Sequence, residues 1–261
     1  MIQRFSFGHP FPTQSVVLSL PAESGPVPFL TPDGSGWQLT LSEQAAVYGL
    51  GEMPRGINKR GWHYITNNTD ESRHSEDKLS FYGAHNFLLM RDGSTCFGLF
   101  VDFPGKVYYD IGYTRHDLFS FHTETPDYDL YLLSGENENA ICKEFRTLIG
   151  RSYIPPKWAF GLAQSRWGYK TEEDVREVAR QYKEHDLPLD MICMDIDYMQ
   201  DYADFTVNKE RFSDLAKLSA DLKAQGIRLV PIIDAGVRID PNDPTLSLIH
   251  ISEPTRQEAI S

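Results

Sequence analysis

Leu187–Thr206 reads LPLDMICMDIDYMQDYADFT, and this stretch sets the fold. Met191–Met194 is a short apolar run, as a parallel strand shows when both of its faces are covered. Asp195, Ile196, Asp197 and Tyr198 follow at once. Carboxylates directly after such a strand sit at its C-terminal end, where α/β folds carry their chemistry.

The segments on either side repeat the pattern. Upstream, Trp158–Ala163 reads as a strand, and Thr171-Glu172-Glu173-Asp174 opens a helix with an N-cap residue and an acidic first turn. Val175, Val178, Ala179 and Tyr182 mark the buried face of that helix. Downstream, Phe212, Leu215, Leu218 and Leu222 mark a second helix, with Gly226 as its stop. Arg228–Ile233 is a third strand, running into Asp234-Ala235-Gly236. A β-α-β-α-β order predicts a parallel sheet with right-handed crossovers. A complete (β/α)8 TIM barrel takes about 250 residues, so only its first portion fits here. Thr245–Ser261 carries no fourth strand–helix pattern and is expected to be a non-native tail.

Before this region the period changes. Pro155-Pro156 cannot continue a helix and biases its predecessors to extended geometry. The domain boundary is placed there, giving a domain over residues 1–150 and a truncated barrel over 151–244. The first domain reads as short strands with aromatic residues and Gly or Pro punctuation. These are Val16–Leu20, Trp37–Leu41, Asn86–Met90, Thr95–Asp102, Lys106–Ile111, Leu118–Thr123 and Tyr128–Leu133. Asp92-Gly93 between two of them signals a hairpin, and the series predicts a β-sandwich. Glu138–Leu148 is a helix, with Ile141, Phe145 and Leu148 at helical spacing.

Composition narrows the function classes. A formal net charge of −12 and a pI near 5.1 argue against nucleic acid and anionic membranes as partners, since both need a basic footprint. No apolar run approaches the roughly 18 residues of a membrane span, and no secretory leader is visible at the N-terminus. Cys96, Cys142 and Cys193 are scattered without a CxxC, and are expected to be buried thiols in the reducing cytoplasm. His63, His74 and His85 lack the accompanying ligands of a metal site.

The three strand ends carry the chemistry. They run into Gln164-Ser165-Arg166-Trp167-Gly168-Tyr169, into Asp195-Ile196-Asp197-Tyr198, and into Ile232-Ile233-Asp234. One polar strand end is commonplace, but three on neighbouring strands make a pocket with an aromatic wall and convergent carboxylates. Sugars need this, since aromatic faces cover C–H faces and carboxylates accept from hydroxyls. Asp195 and Asp197 do not make a glycosidase pair. Retaining enzymes hold two carboxyl groups about 5–5.5 Å apart across the sugar, whereas residues i and i+2 of one strand point the same way.

The motifs together resemble glycoside hydrolase family 31, nearest its α-glucosidases. They are YGLGE at Tyr48–Glu52, YGAHNF at Tyr82–Phe87, SYIPPKWAFG at Ser152–Gly161 and SRWGY at Ser165–Tyr169. MDIDYMQDYADFT at Met194–Thr206 and PIIDAG at Pro231–Gly236 complete the set. The resemblance implies a cofactor-free, metal-free retaining hydrolase that releases glucose from the non-reducing end of α-linked oligosaccharides. It implies that Asp195 hydrogen-bonds the terminal sugar, that Trp167, Ile196 and Ile232 line the same subsite, and that Asp70 reaches substrate from the first domain. Asp197 braces the loop, and Asp234 supports the pocket floor.

The sequence departs from the family at one decisive place. The family's nucleophile lies in a tryptophan-rich DMNE-like motif after the fourth strand, and its acid/base aspartate lies further on. Neither motif occurs here, so no residue is assigned as catalytic and the chain is expected to be an inactive fragment of its parent. The alternatives are a non-catalytic carbohydrate-binding fragment and an α-xylosidase parent. A homo-oligomeric parent is compatible with all of them.

Overall fold

The computed structural model describes residues 1–34, 36–234, 236, 237 and 239. The expected tail at 245–261 lies outside them. The chain divides into two compact units, the first Met1–Ser152 and the second beginning at Tyr153.

The first unit holds ten strands. In chain order they are β1 (Ile2–Phe7), β2 (Thr31–Asp33), β3 (Gly36–Thr40), β4 (Ala46–Gly51), β5 (Trp62–Thr66), β6 (Ala84–Asp92), β7 (Thr95–Asp102), β8 (Val107–Ile111), β9 (Leu118–Thr123) and β10 (Tyr128–Ser134). They form two five-stranded antiparallel sheets, ordered β1-β10-β7-β6-β4 and β2-β3-β9-β8-β5. The period-2 alternation of side chains builds two cores from one sheet. Leu88, Met90, Leu99, Val101, Leu130 and Leu132 join Trp37, Tyr109, Ile111 and Phe119 of the other sheet. Their neighbours Phe87, Leu89, Phe100, Tyr131 and Leu133 pack the opposite way, against Ile141 and Leu148 of helix α1 (Glu138–Ile149). The Phe87 and Phe145 rings stack at 3.8 Å there. Gly98 of β7 makes this approach possible: a Cβ in its place would lie 2.8 Å from Ile141 Cγ2.

The second unit alternates strand and helix. A 3₁₀ turn at Lys157–Phe160 leads into β11 (Ala163–Arg166), followed by α2 (Glu172–Glu184), β12 (Met191–Met194), α3 (Leu215–Ala224) and β13 (Arg228–Pro231). The strands are parallel, with β12 in the middle. Thr171 caps α2 through a reciprocal box with Asp174. Val175, Ala179, Leu218 and Leu222 of the helices bury against Ile192 and Met194 of β12. No described helix is long and apolar enough to cross a membrane.

Several local expectations are corrected. Val16–Leu20 is not a strand: Val16, Leu18 and Leu20 pack on the outer core, but the segment has no partner strand. Its Val17 N–H donates to the carbonyl of Leu148 instead. The strand expected at Trp158–Ala163 begins only at Ala163, because the residues after Pro155-Pro156 wind into the 3₁₀ turn. Arg228–Ile233 pairs only as far as Pro231. The hairpin expected at Arg91–Ser94 forms between β6 and β7, with Gly93-Ser94 as its two loop residues, since Asp92 pairs with Thr95. Gly93 has φ 58°, and a positive φ at the first loop position is what a II′ hairpin turn requires. The cysteines are free but not buried: Cys96 and Cys193 are half-buried and Cys142 is exposed.

Candidate functional site

The parallel register brings three chain segments to one edge. Arg166 of β11 pairs with Met194 of β12, which pairs with Pro231 of β13. Trp167, Asp195 and Ile232 are therefore the next residues on three adjacent strands. The Ile232 N–H donates to the carbonyl of Met194 at 3.0 Å, carrying the alignment one step past the sheet.

Each segment turns for a local reason. Gly168 has φ 102°, a conformation open to glycine. The chain reverses there, leaving Trp167 72 % exposed while Tyr169 is buried. Gln164 holds the turn from inside: its Nε2 donates to Tyr169 Oη at 3.1 Å, and its Oε1 accepts from Tyr182 at 2.6 Å. An exposed indole anchored by a buried phenol presents a flat apolar face to solvent.

At the end of β12 the chain does not stay extended. Ile196–Tyr198 forms a 3₁₀ turn, capped by the Asp195 carboxylate, which accepts from Ile196 N–H at 2.7 Å. Asp195 and Asp197 thus do not share a strand face, contrary to expectation. Asp195 and Ile196 are half-buried, while Asp197 is only 3 % exposed. Among the described residues Asp197 Oδ2 has no hydrogen-bond partner. Tyr198 Oη donates to the carbonyl of Ile232 at 2.7 Å, tying the second strand end to the third.

The third end is open. Ile232 is 42 % exposed, and Asp234 is exposed with φ 55°. The carboxylate that meets this segment is buried Asp204, which accepts from Gly236 N–H at 3.1 Å. Asp204 sits in a loop with positive φ at Asp201, Tyr202 and Phe205. Thr206 pins that loop, donating to the Ala203 carbonyl at 2.6 Å and accepting from Gln200 N–H at 2.9 Å. Sequence reasoning placed Gln164 at a strand end without its bracing role and gave Asp204 no role, since a polar residue within a loop carries no periodic signal.

Asp70 is in the first unit and exposed. Its carboxylate beside the Tyr82 hydroxyl pushes that phenol's pKa up. His63 stacks on Trp62 at 5.5 Å and His74 meets Phe81 at 4.8 Å, each in its own aromatic setting. Among the described residues no cluster of His, Cys, Asp or Glu could hold a metal.

A sandwich unit is thus followed by parallel β/α units that bring an aromatic and a carboxylate to adjacent strand ends. The chain belongs to glycoside hydrolase family 31. Residues 152–256 match that family's TIM-barrel domain, and residues 23–110 match its N-terminal galactose mutarotase-like domain. The sequence is 40% identical over 203 residues to alpha-glucosidase 2 of Bacillus thermoamyloliquefaciens, covering 77% of this chain and 26% of that protein. It is 27% identical to an alpha-glucosidase of Saccharolobus solfataricus, covering 80% of this chain and 30% of the other. A dextranase of this family from Flavobacterium johnsoniae, solved with isomaltotriose, superposes with a TM-score of 0.68 at 26% identity. That match covers 78% of this chain and 25% of the dextranase. The chain therefore spans a quarter to a third of the length of these relatives.

Proposed function

We propose that this chain is the sugar-recognising part of a retaining α-glucosidase whose parent removes terminal α-linked glucose from the non-reducing end of oligosaccharides. The observation that carries the reading is the alignment of exposed Trp167 and Ile232 with half-buried Asp195 at three adjacent parallel strand ends. The likeness to two alpha-glucosidases supports the linkage class. In this reading Trp167 covers the C–H face of the terminal sugar. The Asp195 oxygen left over from capping Ile196 accepts from its hydroxyls. Ile196 and Ile232 close the apolar side, and Asp70 is the first unit's candidate sugar contact.

Asp197 serves as a brace. Its carboxylate is buried in the 3₁₀ turn that Asp195 caps. Asp234 is a weaker candidate for the same supporting role. Hydrolysis by double displacement needs two carboxyl groups about 5–5.5 Å apart on opposite sides of the bond. Asp195 caps the turn and Asp197 is buried within it, so in this reading the reacting pair belongs to other residues of a cytoplasmic parent.

The test is hydrolysis of p-nitrophenyl-α-glucoside and isomaltose by this chain and by a version extended through further barrel units. Activity in the extended protein alone is expected, and activity in the short chain would refute the assignment. In the extended protein, Asp195→Ala should raise KM and lower kcat together, by about tenfold or more in kcat/KM. Unchanged constants would remove Asp195 from the sugar subsite. α-Xylosides in the same assay separate the α-xylosidase alternative.

A further inference from the structure

A polar cavity in the first unit has none of the strand-end residues in its wall. It has a volume of about 520 Å³, and every residue that lines it belongs to the first unit. That volume lies within the range of about 300–1,000 Å³ for small-molecule sites. Its polar wall comes from Asn67, Asn68 and Asn86 with Asp102, Lys106 and Glu124, and its apolar wall from Phe100 and Phe103.

The wall is built rather than incidental. Asp102 ends β7 and is only 9 % exposed. Its carboxylate receives the Thr13 hydroxyl at 2.7 Å. Asn86 is fixed by two contacts, with the Thr66 hydroxyl and, through Nδ2 at 3.2 Å, with the Phe103 carbonyl. Glu124 accepts from Lys106 N–H at 3.1 Å, which shapes the rim. Burial pushes the Asp102 carboxyl up and the His85 imidazole down, so both lean toward their neutral forms. With Lys106 set against Glu124, the lining carries no excess of positive charge to draw an anion.

We propose that this cavity is a binding site for a neutral, hydroxyl-rich ligand the size of a monosaccharide. Three side-chain amides supply donors and acceptors to hydroxyl groups, and the buried carboxyl adds an acceptor. The phenylalanine rings receive a C–H face. The site stands whether or not the strand ends bind sugar.

The experiment is equilibrium dialysis of the full chain against radiolabelled methyl α-D-glucoside, repeated with Asn68→Ala/Lys106→Ala, Asp102→Asn and Trp167→Ala. Asn68 and Lys106 are exposed, so the double variant keeps its fold, and a thermal melt checks each protein. Saturable binding is expected, with a dissociation constant on the order of 1 mM. The double variant should weaken it about tenfold, and Trp167→Ala should leave the remaining sites unchanged in number and strength at the cavity. Excess glycerol or inorganic phosphate should not displace the sugar. Absence of saturable binding would overturn the proposal. Binding abolished by Trp167→Ala but intact in the double variant, or displaced equally well by glycerol, would do the same.

Discussion

Lys59 shows how much a single buried side chain can organise. It is 5 % exposed, and its Nζ donates to the carbonyls of Met53, Pro54, Arg55 and Gly56. The ammonium thus plays the part of a bound cation inside the loop between β4 and β5. Burial lowers its pKa, but the ring of carbonyl dipoles keeps a use for its charge. Lys59→Met keeps the stem and removes the donors, leaving buried carbonyls unpaired. We expect a loss of about 1–3 kcal/mol, read from the urea midpoint; an unchanged midpoint would show that water replaces the ammonium. Nothing in the sequence marks Lys59, because its partners are main-chain atoms of any residue type. The place of Trp167 at a strand end was legible for the opposite reason: the strand pattern upstream of it runs into Gln164–Tyr169. The different surroundings of Asp195 and Asp197 were not, since the 3₁₀ turn that separates them leaves no period to read.

Elements with local causes were legible, and those with distant causes were not. α2 was read from its cap and its apolar spacing, both contained in the segment. Thr171→Ala removes the capping hydroxyl and should cost about 1 kcal/mol, within a range of roughly 0.5–2. Hydrogen exchange in the first turn of α2 should rise, and unchanged protection would mean that packing alone holds it. β11 was misplaced because Ala163–Arg166 is polar and exposed, and is a strand only through its backbone pairing with β12. β2 and β4 escaped notice for a similar reason: three residues, or a run containing two glycines, become strands when a neighbour supplies the ladder. α1 is held to β6 by Arg91, which pairs bidentately with Glu138. That contact holds the Glu138 pKa down at about 2, from an ordinary value of 4.5. A depressed carboxylate contributes stability above its unfolded pKa and loses it as pH falls through the folded one. Glu138→Gln should therefore flatten the acid limb of stability between about pH 4.5 and 2; an identical limb would assign it to other carboxylates.

At the scale of the molecule, the two units differ in how well they cover themselves. The sandwich encloses one core and shields another beneath α1. The second unit leaves Tyr153, Ile154 and Phe160 exposed at 82 %, 85 % and 73 %. Its sheet ends in β11 and β13, with no further described strand beside either. Apolar surface and free strand edges favour association. Sedimentation velocity should show weight-average mass rising with concentration, and Ile154→Ser/Phe160→Ser should reduce the rise. A monodisperse monomer over the same range would contradict this. The sandwich and the parallel order were both legible from spacing, while the pairing partners were not. Which strand lies beside which depends on contacts across most of the chain.

One such pairing governs the order in which the protein is born. β1 lies against β10, with Ile2 opposite Leu133. The β6–β7 hairpin can close as soon as it leaves the ribosome, but β1, bridged locally only at Ala22, has no ladder partner until the last strand of its sheet appears. At translation rates of about 5–20 residues per second, that wait is on the order of ten seconds. During it one edge of β1 stays open, and an open strand edge is where a second chain can add itself.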